Sequence, residues 1–148
     1  MKRALIVLVC FASSPMIVFG QEAGSYSSNG SGVNFLGNLA DKTLTETSGM
    51  VLSGRNENLL WIINDSGNPP VIHAVGLDGS SRGQVRLRKA KNRDWEDLAA
   101  FQFNGESYLL IADCGDNDRI RKSSFLYAVV EPEMSTAELP EGSSVPWN

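Results

Sequence analysis

Cysteine is almost missing from this chain: there are two in 148 residues, Cys10 and Cys114. Cys10 falls inside an apolar leader, so removal of that leader leaves one cysteine and excludes an intramolecular disulfide. Histidine is scarcer still, with His73 alone. A single histidine inside a strand pattern gives little support to Ser-His-Asp or Cys-His catalysis. There is no basic excess either. Lys and Arg total 13 against 17 Asp and Glu, a formal charge of −4, which makes nucleic acid a poor partner. No apolar run is long and unbroken enough for a membrane span, and no ten-residue amphipathic helix stands out. What remains is short strands and turns.

The ends differ in composition from the middle. Lys2 and Arg3 precede the apolar run Ala4–Phe11, Ser13-Ser14-Pro15 interrupts it, and Val18-Phe19-Gly20 ends it with small or apolar residues. This is the pattern of a secretory signal peptide over residues 1–20, cut near Gly20. It predicts an exported protein, periplasmic or extracellular. A lipid anchor at Cys10 is the competing reading, disfavoured by the bulky Val9 before it. Residues 21–43 are rich in Gly, Ser and Asn at their start and read as a flexible lead-in.

The middle of the chain matches itself. Residues 46–67 align with 94–115 without a gap, at an offset of 48. Leu59-Leu60-Trp61-Ile62-Ile63 falls on Tyr108-Leu109-Leu110-Ile111, and Asp65 on Asp113. After six further residues in the second copy, Ile72-His73-Ala74-Val75 is matched by Leu126-Tyr127-Ala128-Val129. A repeat of about 40–50 residues made of short strands is the signature of β-propeller blades. The expected fold is therefore all-β: antiparallel four-stranded blades, about two of them, forming an incomplete ring. Blade one spans 44–93, a partial blade two spans 94–132, and 133–148 is a linker or the start of a missing blade. The missing blades would come in cis from a longer parent or in trans from an oligomer.

Strands are predicted from Ser48, over Leu59–Ile63, Val71–Val75 and Gln84–Arg88, and again over Leu98–Phe103, Tyr108–Ala112 and Phe125–Val130. The continuous apolar run Leu59–Ile63 suits a strand buried on both faces. Asn104-Gly105 reads as a tight turn. Six basic residues lie between Arg82 and Arg93. They are expected to blunt an outermost strand edge, or, in a sharper reading, to attract an anionic substrate.

Polar clusters sit where strands begin and end: Glu46–Gly49, Asn64–Gly67, Asp94–Asp97 and Asp113–Asp118. Oxygen-rich side chains converging on a channel would suit a hard cation such as calcium, which could activate water. Asp and Asn beside Gly are also ordinary turn formers. That plain role is the expectation for Asp65 and Asp113, because both copies carry it. Glu96 and Asp97 face Ser48 and Gly49 in the first copy, so their carboxylates belong to one unit only. Adjacent strand residues point to opposite faces, and Glu96 is the candidate ligand or acid–base group.

Glu46-Thr-Ser-Gly-Met, Leu60-Trp-Ile-Ile-Asn-Asp-Ser-Gly, Asp94-Trp-Glu-Asp-Leu-Ala and Ile111-Ala-Asp-Cys-Gly-Asp-Asn together resemble the opening blades of secreted bacterial six-bladed propellers. Relatives of that group include phytase-like esterases and strictosidine synthase-like proteins. The resemblance covers residues 44–132. It implies calcium on a central axis, with Glu46, Glu96, Asp97 and Asn117 as metal positions; the residues themselves add Asp116, which lies in the insertion of the second copy, and Glu96 as the catalytic candidate. The primary expectation is a binding or structural module for a small molecule or glycan. The alternative is part of a calcium-dependent hydrolase of phosphate esters, carboxylic esters or lactones.

Overall fold

In the computed structural model of this chain, the residues described are 6–7, 16–19, 33–134, 139 and 142–147. Among them there is no helix. Eleven strands form three sheets. β1 (Ile6–Val7), β2 (Met16–Phe19) and β3 (Val33–Phe35) make a small sheet of their own. Apart from β1 and β2, the expected signal peptide lies outside the described residues, as does the lead-in up to β3.

The first large sheet is an antiparallel meander of β4 (Thr47–Leu52), β5 (Leu59–Asn64), β6 (Val71–Gly76) and β7 (Ser81–Leu87). The second is a three-stranded meander of β8 (Trp95–Phe103), β9 (Glu106–Asp113) and β10 (Phe125–Val130). The strand order follows the chain, through connections that run from the two-residue turn Asn104-Gly105 to the longer segment 114–124 between β9 and β10. Asn104 at φ 51° and Gly105 at φ 83° form the left-handed pair that a two-residue hairpin requires. A short β11 (Ser144–Val145) joins the first sheet, parallel to β7 at Arg86 and Leu87. It covers the edge on which the basic run was expected to be exposed. Tail residues otherwise read as a linker are thus held along the first sheet, where the Leu139 N–H also donates to the Arg82 carbonyl at 2.7 Å.

The repeat is real in the backbone, with one correction. Both first strands carry a register shift at the same place, between Thr47 and Gly49 and between Trp95 and Asp97. Beyond the hairpins the ungapped alignment slips by one residue: Leu52 faces Leu60, whereas its counterpart Ala100 faces Leu109. The second hairpin holds one more residue. The structural counterpart of Asp113 is consequently Asn64, not Asp65. The hydrogen bonds agree: Glu46 N–H donates to Asn64 Oδ1 at 3.3 Å, and Asp94 N–H to Asp113 Oδ1 at 3.1 Å.

Two faces meet in the main core. Trp61, Ile63, Ile72 and Ala74 of the first sheet pack against Leu98, Leu109, Ile111, Tyr127 and Val129 of the second, with Trp95 fully buried among them. The other face of the first sheet carries Met50, Leu60, Ile62 and Val75, which are covered by Leu39, Leu44 and Leu77. The lead-in closes over that face, and its Asp41 Oδ2 lies 3.0 Å from Nδ1 of buried His73. β4 and β8 run side by side between the sheets. A Cβ on Gly49 would stand 2.8 Å from the Leu98 backbone nitrogen, so the close approach requires glycine there. This places the start of β8 beside the end of β5, and with it the candidate site.

Candidate functional site: carboxylates between two sheets

Three carboxylates converge where the sheets meet. One oxygen from each of Asp65, Asp94 and Glu96 lies within 4.8 Å of the other two. Asp65 leaves β5 of the first sheet, while Asp94 and Glu96 flank Trp95 at the start of β8. Asn92 fixes the relation between the two sheets. Its Nδ2 donates to the carbonyls of Asn64 at 3.0 Å and Asp65 at 2.8 Å, and its Oδ1 accepts the Trp95 N–H at 3.1 Å. Glu96 is the extra residue of the register shift, since Trp95 pairs with Asp113 and Asp97 with Ala112. Such a bulge re-aims a side chain. Glu96 and Asp94, two residues apart along the strand start, share a side of the chain and meet Asp65 there.

The electrostatics of this cluster are unfavourable. Burial pushes the Asp94 carboxyl above its ordinary value, and the adjacent Asp65 pushes it further, against the pull of Ser66 and Arg121. The Glu96 carboxyl is raised by burial first, then by the charges of Asp65 and Asp94. Like charges that cannot separate disfavour ionisation. Asp94 Oδ1 is buried and receives no hydrogen bond. A Cβ on Gly115 would land on the carboxylates of Asp94 and Glu96, so the space beside them exists only because residue 115 has no side chain. All the donors are carboxylate oxygens, which suits a hard divalent cation. An open cleft of about 320 Å³ adjoins Asp94, lined by Ser66, Arg93, Gly115, Asp116, Asn117 and Arg121 among others.

Of the residues singled out from sequence, only Glu96 belongs to the cluster. Asp116 and Asn117 line the adjoining cleft. Asp116 Oδ1 is engaged locally, accepting from the Ile120 N–H at 2.8 Å and the Arg121 N–H at 3.1 Å. Glu46 stands apart, exposed, with Oε2 accepting from Asn68 Nδ2 at 3.1 Å. Asp97 also stands apart, its Oδ1 taking the Leu98 N–H at 2.8 Å. Asp65, expected to serve a turn, does accept the next residue's N–H and still contributes to the cluster. Asp113 is fully buried and structural, bonded by Arg121 at 2.7 Å as well as by the Asp94 N–H.

Sequence reasoning also passed over Glu131, at the opposite end of the sheets. It is 1% exposed. Its carboxylate accepts from Ser53 Oγ, Ser107 Oγ, Trp61 Nε1 at 2.7 Å and the Gly54 N–H at 3.2 Å. Burial raises its pKa, but the hydrogen bonds of Ser107, Ser53, Trp61 and Gly54 outweigh burial and hold the carboxyl below its usual range. Its position after the last strand, next to Pro132, looks like the loss of a pattern and carries no signal of a buried anion.

No protein-family model, curated protein or solved structure matches this chain. Function therefore has to be argued from the site.

Proposed function

We propose that this chain is part of an exported β-propeller, and that Asp65, Asp94 and Glu96 bind a divalent cation, calcium by ligand chemistry, as a binding and structural centre between two blades. The observation that carries the reading is the juxtaposition of three carboxylates from two sheets; among the described residues no cationic side chain is bonded to any of the three. In this reading a bound cation stabilises the fold by relieving repulsion and tying Asp65 of one blade to Asp94 and Glu96 of the next. The stacked meanders and their shared strand-start bulge support the propeller architecture. Small molecules with anionic or hydroxyl groups would reach the cation from the adjoining cleft.

Titration calorimetry of the full chain with calcium chloride tests this, alongside Asp94→Asn. The reading predicts saturable binding that the substitution abolishes. Heats of simple dilution from the unsubstituted protein would overturn it.

A hydrolytic role is the second reading, and one observation favours it. Glu96 is exposed to solvent beside the cleft-lining Asp94, and burial with the charges of Asp65 and Asp94 raises its carboxyl, the direction in which a general acid–base carboxyl is tuned. Calcium-dependent turnover of aryl phosphate or carboxylic esters, lost in Glu96→Gln while calcium binding persists, would establish it. Esters left intact at saturating calcium would leave the site a binding centre.

A further inference from the structure

Among the described residues, no other element packs on the outer apolar face of the second sheet. Its paired rows Ala99–Leu110–Ala128 and Phe101–Tyr108–Val130 lie on the side away from the first sheet. Phe101 and Tyr108 stack at 5.4 Å between ring centroids, and Leu126, on the same side, is 61% exposed. A run of large apolar side chains on one open face marks an interaction surface.

The repeat identifies what fits there. Leu110, Ala128 and Leu126 are the counterparts of Trp61, Ala74 and Ile72, which are fully buried in the first sheet. What buries them is the face of the next meander, through Leu98, Leu109, Ile111, Tyr127 and Val129. Those five occupy the positions that Met50, Leu60, Ile62, His73 and Val75 hold in the first sheet. Each sheet thus has two unlike faces, and stacking is head to tail. β9 is apolar at consecutive positions from Tyr108 to Ala112, as β5 is, and β5 is buried on both sides. A strand facing water on one side alternates instead.

We infer that the open face of the second sheet seats a further β-meander, presenting an aliphatic face of the Met50/Leu60/Ile62/Val75 kind. Addition proceeds in this direction only. The opposite end of the stack is closed by Leu39 of the lead-in and Leu44 just after it, which a second copy would have to displace in order to dock head to tail. The inference rests on the propeller reading and is independent of cation binding, so the calcium titration and the test below fail separately.

The test uses the full chain extended after Asn148 by a flexible linker and a copy of residues 94–134 that carries Phe101→Lys and Leu126→Lys in the copy alone, so that the copy brings the complementary Leu98/Leu109/Ile111 face without a second open apolar face. The probe is a fluorescent dye specific for exposed apolar surface. The expected result is a monomer in which dye binding falls several-fold relative to the unextended chain. Leu126→Lys should restore it, while Ile120→Lys, at an exposed residue off this face, should not. Undiminished dye binding, with the added segment exchanging its amides freely, would overturn the inference. So would an unextended chain that sediments as a dimer and is split by Leu126→Lys, because the face would then be occupied by a second copy.

Discussion

The two ends of the stacked sheets each gather carboxylates, buried Glu131 at one and half-buried Asp94 beside exposed Glu96 at the other, and they are handled in opposite ways. Glu131 is saturated: hydroxyl, indole and backbone donors from both sheets converge on it, and its carboxyl is held low. Asp94 and Glu96 are starved. They face each other and Asp65, one oxygen has no donor at all, and both carboxyls are held high. Burial acts upward on all three groups, so hydrogen-bond supply at Glu131 and the like charges beside Asp94 and Glu96 are what separate them. A carboxylate supplied with donors works as a structural tie. Carboxylates left short of donors are poised to take a cation or a proton.

The comparison breaks most visibly at Glu131. Glu131→Ala would leave Ser53, Ser107 and the Trp61 N–H without this acceptor, at about 1–3 kcal/mol for each buried donor left unsatisfied. Urea unfolding followed by tryptophan fluorescence reads it directly. At the other end the sign reverses. Asp94→Asn removes a repelled charge, so the cation-free protein should melt slightly higher than wild type. The gain from saturating calcium, about 2.7 kcal/mol at a hundredfold excess over Kd, should vanish. Thermal melts with and without calcium separate the two effects. Gly115→Ala sharpens the contrast further, because a methyl group would occupy the space beside Asp94 and Glu96. We expect calcium affinity to fall about tenfold, equivalent to about 1.4 kcal/mol, measured by the same titration.

The smallest effect is the dependence on pH. The pKa of Glu131 is depressed in the fold, so its contribution is complete above the unfolded value of 4.5. It is lost as pH falls through the lower folded value. The pKa of Asp94 is raised from 3.8. Its folded form holds the proton to higher pH, and that stabilisation is present below the unfolded value and lost as pH rises through the folded one. Glu131→Gln should therefore flatten the acid limb of stability against pH, and Asp94→Asn the limb above it. Melting curves across pH 3–7 (a range chosen to span the ordinary carboxylate values) check both.

Much of the fold was legible because strands write themselves locally. Leu59–Ile63, Val71–Val75 and Phe125–Val130 appear where their hydrophobic runs place them, and Asn104-Gly105 makes the turn its residues demand. The single-residue slip between repeats was not legible, since Leu-Leu-Trp-Ile-Ile slides along Tyr-Leu-Leu-Ile-Ala without a clear penalty. That slip misassigned Asp65 to the position of Asp113. The site was half legible for the same reason. Glu96 stood out because only one copy carries it, but the approach of Asp65 from the neighbouring sheet is a tertiary contact with no local residue signature. Glu131 was invisible because its partners lie between 24 and 78 residues away, and nothing local distinguishes it from a solvated loop glutamate.

The most direct test of the contrast is carboxyl-carbon NMR titration of the full chain, with and without calcium. The account predicts Asp94 and Glu96 titrating above ordinary carboxylates in the metal-free protein and falling below them when calcium is added. Glu131 should stay low in both conditions. Asp94 and Glu96 titrating at ordinary values, or unmoved by calcium while Glu131 shifts, would contradict it.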